Sequence, residues 1–284
     1  MKSLLLICLI TIGRSPVSAG CCLDGAGRVV AVGDVHGDFS RFVMVLRHAG
    51  LIDNSKNWCG GKTRLVQTGD ILDRGPDSRL VMDLIMKLEQ QAPIQGGAVH
   101  FLLGNHESML LSGDIRYVHP GEADSHGGFK EMIRNMRLTG RYGKWLAAHN
   151  AVVRINHTLF LHAGISEEYS EFSPEQINDA VRKALLFPEE HYESRGSEGP
   201  LWYRGWAVDR SSAAERTVEQ ALESSGASFA VIGHTVRIQG IGTRFAGRVI
   251  MIDTGLSEHY GGPVQYLEIS GDGHKAVTVL ESVE

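Results

Sequence analysis

Short apolar runs alternate along the chain with polar clusters that begin abruptly at their ends. "RVVAV" (28–32) runs into Gly33-Asp34, "TRLVQT" (63–68) into Gly69-Asp70, and "AVHFLL" (98–103) into Gly104-Asn105-His106-Glu107. In the same way "TLFL" (158–161) leads to His162 and "SFAVI" (228–232) to Gly233-His234. Runs of this length and composition, flanked by turn residues, predict buried strands. Between them, "PDSRLVMDLIMKLEQQ" (76–91) repeats apolar residues at helical spacing through Leu80, Val81, Leu84, Ile85 and Leu88, with Pro76 suited to a first turn. "SPEQINDAVRKALL" (173–186) and "AAERTVEQALESSG" (213–226) predict two more helices, the second closed by Gly226. From Arg248 onward, "RVIMIDTG", "PVQYLEIS" and "HKAVTVLE" read as consecutive strands separated by glycine turns. Strand–helix alternation followed by a strand-rich tail predicts an α/β fold of two packed sheets with helices outside them. Residues 106–149, with "EMIRNMRL" and "KWLAAH", break the alternation and are expected to form a helical lid or side wall.

The 284 residues carry no internal repeat, low-complexity tract or Pro/Gly/Ser-rich linker beyond the first twenty, so one domain is expected over residues 24–284. The opening "MKSLLLICLITIGRSPVSAG" is different. Lys2, the apolar stretch Leu4–Ile12, Pro16 and then Val17-Ser18-Ala19 form the pattern of a secretory signal peptide over residues 1–19. The stretch is too short for a stable membrane span, which takes about 20 residues. An amphipathic N-terminal strand or a misassigned start are the competing readings, and Cys21 after "SAG" raises a lipid anchor as a further alternative. The expected location is the secretory pathway: periplasm or exterior in a bacterium, organelle lumen or exterior in a eukaryote. Cleavage after Ala19 removes Lys2 and Arg14, taking the formal charge from −5 to −7. An acidic chain without a Lys/Arg tract is no nucleic-acid binder. Cys21, Cys22 and Cys59 lack metal-site spacing; either vicinal thiol could pair with Cys59, or all three could stay free.

In open α/β sheets, ligand sites gather beyond the carboxyl ends of strands. Here those ends supply Asp34, His36, Asp70, Asn105, His162 and His234: two carboxylates, one amide and three imidazoles. Mixed oxygen and nitrogen donors suit Mn, Fe or Zn better than Ca or thiolate-seeking ions. Six ligands, one of them bridging, suffice for a two-metal centre able to activate water against a phosphoryl group. A single "GD" is commonly just a turn, and a single His at a strand end is usually just hydrogen-bonded. Five strand ends agreeing in ligand chemistry argue for a site.

"GDVHG" (33–37), "GDILDRG" (69–75), "GNHE" (104–107), "LHAGIS" (161–166) and "GHT" (233–235) resemble the motifs of metal-dependent phosphoprotein phosphatases of the calcineurin-like superfamily, most closely the Shewanella-like protein phosphatases. The resemblance spans residues 28–256 and implies the calcineurin-like metallophosphoesterase fold, with phosphomonoesters of Ser, Thr or Tyr in phosphoprotein partners as substrates. It implies two divalent ions, Mn first and Fe or Zn next. Asp34, His36 and Asp70 would hold one ion; Asp70, bridging, with Asn105, His162 and His234 would hold the other. His106 would act as general acid in the in-line attack of a water on the phosphorus, with Asp73 behind it. Arg74, Asn105 and a second arginine would grip the phosphate. Arg204 in "GPLWYRGW" is the choice for that arginine, against a structural role stacked among Trp202, Tyr203 and Trp206. Two features depart from the eukaryotic Ser/Thr phosphatases: Ala163-Gly164 replaces a double glycine, and "DTGLSEHYGG" (253–262) has no toxin-binding loop. The alternative activity is that of a symmetrical dinucleoside polyphosphate hydrolase, although the acids in "LDRG" and "GNHE" are protein-phosphatase forms. His100, His149 and His157 have no motif context and are expected at the surface or satisfied in the core.

Overall fold

The computed structural model describes residues 20–187, 191, 195–271 and 273–280. The expected signal peptide therefore lies outside the described residues. Among the described residues eleven strands form: β1 (Cys22–Leu23), β2 (Arg28–Val32), β3 (Arg64–Gln67), β4 (Ala98–Phe101), β5 (Val152–Ile155), β6 (Thr158–Leu161), β7 (Phe229–Ile232), β8 (Gly242–Arg244), β9 (Val249–Met251), β10 (Gln265–Ser270) and β11 (Gly273–Thr278). One sheet has the order β11-β10-β2-β3-β4 and the other β1-β5-β6-β7-β9-β8. In each sheet the three strands that lead to the site run parallel: β2, β3 and β4 in the first, β6, β7 and β9 in the second.

Side-chain alternation assigns each strand's two faces. Val29, Ala31 and Val66 meet Phe160, Val231 and Ile250 in an apolar layer between the sheets. Their sequence neighbours Val30, Val32, Leu65, Leu159, Leu161 and Ile232 face the helices in a larger cluster. Burial on both faces is why these strands appear in the sequence as continuous apolar runs.

The helices are α1 (Phe39–His48), α2 (Ser78–Gln91), α3 (Asn105–Leu111), α4 (Pro120–Ser125), α5 (Phe129–Met136), α6 (Arg141–Ala147), α7 (Pro174–Leu186), α8 (Gly205–Val208) and α9 (Ser212–Ser225). Helices α3 to α6 occupy the stretch where the alternation breaks. A capping box joins Ser173 and Gln176 at the start of α7. Helix α9 ends on Gly226 at φ +66°, a left-handed stop that glycine adopts at no steric cost. Among the described residues no helix is long and apolar enough to cross a membrane.

Several expectations need correction. Helix α2 starts at Ser78, so Pro76 precedes it. At about 100° per residue its buried face centres on Val81, Ile85 and Leu88 and takes in Met82. Leu80 points away from that face and is 44% exposed. The three tail strands form, with β9 in one sheet and β10 and β11 in the other. Cys21, Cys22 and Cys59 are free thiols, so no bridge to Cys59 forms. Cys21 is buried, with its thiol donating to Glu175 Oε1 over 3.1 Å. His149 is satisfied, between Glu89 Oε1 and the Trp145 carbonyl, each at 2.7 Å, and His157 is exposed. His100 is neither, because its Nε2 is buried without a partner. Burial and the nearby Arg64 charge push that ring down to about 4 and keep it neutral.

Candidate active site

The carboxyl ends of the two parallel strand sets open onto one spot. Asp34 and His36 follow β2, Asp70 follows β3, Asn105 opens α3 after β4, His162 follows β6 and His234 follows β7. All six are buried. The turns that deliver them are strained: His36, Asp70, Asp73, Arg74 and His234 all have positive φ, between 46° and 70°. For non-glycine residues this is a sparsely populated region that persists only where surrounding contacts enforce it. Two motif glycines are required by close approach. A Cβ at Gly233 would run into the Asp34 carboxylate, and one at Gly104 into that of Asp70.

Hydrogen bonds fix which ring nitrogens carry protons. A carbonyl can only accept, so His36 Nδ1–H donates to the Leu72 carbonyl (2.9 Å) and His162 Nδ1–H to the Thr68 carbonyl (2.8 Å). His234 Nε2–H donates to the Trp202 carbonyl (3.1 Å). The remaining nitrogens are lone pairs turned inward. His162 Nε2 lies 3.1 Å from His234 Nδ1, 2.9 Å from Asn105 Oδ1 and 3.4 Å from Asp70 Oδ2. Four acceptors face one another with no hydrogen between them, an arrangement that repels unless a cation sits among them. On the other side of Asp70, His36 Nε2 lies 3.8 Å from Asp70 Oδ2 and 3.9 Å from Asp34 Oδ2. Burial pushes the His36 ring down to about 4, and burial with the His162 ring pushes His234 down to about 2, so both are neutral and able to ligate.

Carboxylates reinforce this electrostatic demand. Burial and the adjacent Asp253 and Asp70 charges push the Asp34 carboxyl well above its usual range. Asp253 itself is driven up to about 6 by burial, and its Oδ2 is buried without a partner. Burial also acts to raise Asp70, but the His162, His106 and His36 rings outweigh it and hold that carboxylate charged. The residues present therefore fit two divalent cations, one at Asp34, His36 and Asp70, the other at Asp70, Asn105, His162 and His234.

His106 is as near Asp70 Oδ2, at 3.8 Å, as His36 is, yet its environment differs. Its Nδ1 lies 2.6 Å from Asp73 Oδ2, a carboxylate where His36 has a neutral carbonyl. Burial disfavours the charged ring, but the Asp70 charge and the Asp73 bond prevail and hold His106 above the usual histidine range. Arg74 stacks on the Tyr117 ring with Cζ 3.9 Å from its centroid, and its Nε is buried without a partner. Arg204 is exposed at the rim, where Nη1 donates to the His234 carbonyl (2.6 Å) and Thr235 Oγ1 (3.0 Å). Of the aromatic residues beside it, Trp206 is engaged elsewhere, fully buried with Nε1 on Thr217.

The sequence reading gave no structural role to Glu107 and Asp253. Glu107 is fully buried and accepts three backbone N–H bonds, from Gly104 (2.7 Å), Asp70 (2.9 Å) and Ile71 (3.0 Å), tying together the loops that carry Asp70 and Asn105. Asp253 ends the apolar run "RVIMI", so the strand-end rule that found the other residues would have found it too.

A family model for calcineurin-like phosphoesterases matches residues 27–237. An uncharacterised protein of Schizosaccharomyces pombe is 37% identical over 256 residues, covering 85% of this chain and 77% of its own. Shewanella-like protein phosphatase 1 of Plasmodium berghei is 30% identical over 274 residues, covering 89% and 75%. Among solved structures, the cold-active protein-tyrosine phosphatase of a psychrophilic Shewanella superposes with a TM-score of 0.79 at 28% identity, covering 92% of this chain and 82% of that one. Metallophosphoesterases of this kind depend on a dinuclear metal centre, and the buried donors clustered around Asp70 are the counterpart here. The chain belongs to the calcineurin-like phosphoesterases, in their Shewanella-like protein phosphatase branch, and is a phosphatase.

Proposed function

We propose that the protein removes phosphate from phosphorylated side chains of proteins, acting on phosphoserine, phosphothreonine or phosphotyrosine monoesters. The observation that carries this reading is the division between imidazoles: His36, His162 and His234 turn bare lone pairs inward, whereas the Asp70 charge and a bond to Asp73 hold His106 above the usual histidine range. A phosphomonoester of an alcohol needs such an acid, because its alkoxide leaving group departs poorly without a proton. When two divalent ions are bound, they supply water activation and neutralise phosphoryl charge. Mn suits the mixed donor set, with Fe or Zn as alternatives.

The chain's own residues then do the rest. Arg74, preset by its stack on Tyr117, offers guanidinium donors to phosphate oxygens. Arg204 adds a second cation from the rim, and the Asn105 side chain borders the same space. His106 gives its Nε2 proton to the leaving oxygen, while Asp73 holds the ring in place and stabilises its charge. The relatives named as protein phosphatases support the substrate class. Purified protein with added Mn²⁺ should release phosphate from phosphothreonine or phosphotyrosine peptides with a higher kcat/KM than from diadenosine tetraphosphate. A preference for the dinucleotide would overturn the reading in favour of a polyphosphate hydrolase. We further infer export through the secretory route, on the pattern of residues 1–19 alone. N-terminal sequencing of protein from its own cells should find Gly20 first, and Met1 on the bulk of it would refute export.

A further inference from the structure

A recess of about 160 Å³ adjoins the centre, lined by Ser108, Met109, Asp114, Arg116, Arg195 and Trp202 among others. It shares walls with the site. The Trp202 carbonyl accepts from His234 Nε2 (3.1 Å), and Met109 Sδ accepts from Asn105 Nδ2 (3.9 Å). Arg116 lies 5.6 Å from the ring of Tyr117, the residue that stacks on Arg74 and has its centroid 5.3 Å from that of His106. Pockets for nucleotide- or drug-sized ligands run to about 300–1,000 Å³, and this recess, at about 160 Å³, is on the scale of a single side chain.

The charges of the recess select which side chain. Arg116 and Asp114 cancel in a two-pronged pair, Nη2 to Oδ2 at 2.7 Å and Nε to Oδ1 at 2.9 Å. Arg195 is half-buried and has no hydrogen bond or ion pair among the described residues, and neither does the Ser108 hydroxyl. Trp202 and Met109 give the recess an apolar wall. A guanidinium and a hydroxyl without partners among the described residues, above an apolar wall, match a carboxylate on an aliphatic stem. We propose that this recess receives an acidic side chain of the substrate close in sequence to the phosphorylated residue, with Arg195 as the specificity-determining cation. The assignment rests on the reading of the protein as a phosphoprotein phosphatase. It makes acidic phosphopeptides the preferred class. A second phosphorylated residue would offer similar anionic oxygens, and the test separates the two.

The experiment measures kcat/KM of the Mn²⁺-loaded protein on matched phosphopeptides carrying Glu, Ala, Lys or a second phosphoserine at each position within two residues of the hydrolysed phosphate. A Glu peptide should exceed its Ala counterpart by about tenfold at one or more positions, on the scale of one charge-assisted hydrogen bond. Lys should fall below Ala. In Arg195→Ala the Glu/Ala ratio should collapse towards one, and in Arg195→Glu it should invert. The wild-type ratio needs no variant, so a folding defect in either substitution would not hide the answer. Equal kcat/KM for Glu, Ala and Lys peptides in wild type, or a Glu preference that survives Arg195→Ala, would overturn the assignment. A preference confined to the doubly phosphorylated peptides would overturn the carboxylate in favour of phosphate. If no phosphopeptide is hydrolysed while p-nitrophenyl phosphate is, the phosphoprotein reading itself fails, which is distinct from failure of the recess alone.

Discussion

Glu107→Gln tests whether one buried carboxylate holds the centre together. In the native protein Oε2 accepts from Gly104 and Asp70 and Oε1 accepts from Ile71, all three donors being backbone N–H groups. An amide has one acceptor oxygen. At best it keeps the two-bond edge, turns its NH₂ on the Ile71 donor, and leaves that donor without a partner. An orphaned buried N–H costs about 1–3 kcal/mol. The two bonds that survive lose their charge assistance, which is roughly half their strength. Together these make about 3 kcal/mol, a fall in Tm of roughly 5 °C for a chain of this size. The comparison belongs at pH 8, because burial and the Asp70 charge push the Glu107 carboxyl up to about 7 and wild type must present a carboxylate. The loops carrying Asp70 and Asn105 would loosen with it. Loss of a residue that orients metal ligands lowers metal affinity by about 10–100-fold. Mn²⁺ titration of the metal-stripped variant, read by p-nitrophenyl phosphate turnover, should therefore show an activation midpoint raised by at least about tenfold. Rates at saturating Mn²⁺ should recover substantially. A variant with wild-type Tm and an unshifted Mn²⁺ midpoint would refute the reasoning.

Other substitutions separate the roles of neighbouring groups. His106→Asn should lower kcat by about 10²–10⁴-fold on alkyl phosphates and by less on aryl phosphates, whose leaving groups need little protonation; equal losses on both would show that His106 does something else. Asp73→Asn removes one of the carboxylates that raise the His106 pKa, after the Asp70 charge, so the acid form is lost at lower pH and the alkaline limb of the kcat profile should move to lower pH. A limb that stays in place would separate Asp73 from the acid. Arg204→Lys keeps the charge but loses the fork, and kcat/KM should fall roughly ten- to a thousandfold with vanadate inhibition weakening in parallel. A lowered Tm with normal kinetics would instead give Arg204 a structural role at the His234 carbonyl.

The sequence alone determined the strands of the centre and the identity of its donors. Each central strand is buried on both faces, so it must be written as an unbroken apolar run, and the first polar residue after such a run is placed at the strand's end. That rule identified Asp34, His36, Asp70, Asn105, His162 and His234 without any knowledge of pairing. Where the rule had no purchase, the reading failed or fell silent. β8 is too short and polar to stand out, the apolar run of β5 is broken by Arg154, and the assignment of β9 and β10 to different sheets depends on partners distant in sequence. Leu80 looked like core because helical spacing fixes relative angles but not which flank meets the sheet.

Only the tertiary structure set the surroundings of each site residue. His36 and His106 are both histidines near Asp70, and no local pattern separates them. Deep burial keeps the His36 ring neutral behind its bond to the Leu72 carbonyl, whereas the Asp70 charge and the Asp73 carboxylate outweigh burial at His106 and hold that ring above the usual histidine range. Glu107 clamps loops 33 or more residues apart in sequence, and Arg195 and Met109 line one recess although they come from distant segments. Burial, charge and hydrogen bonding are properties of the assembled surroundings, so the chain's one-dimensional pattern could name the chemistry while the packing assigned it.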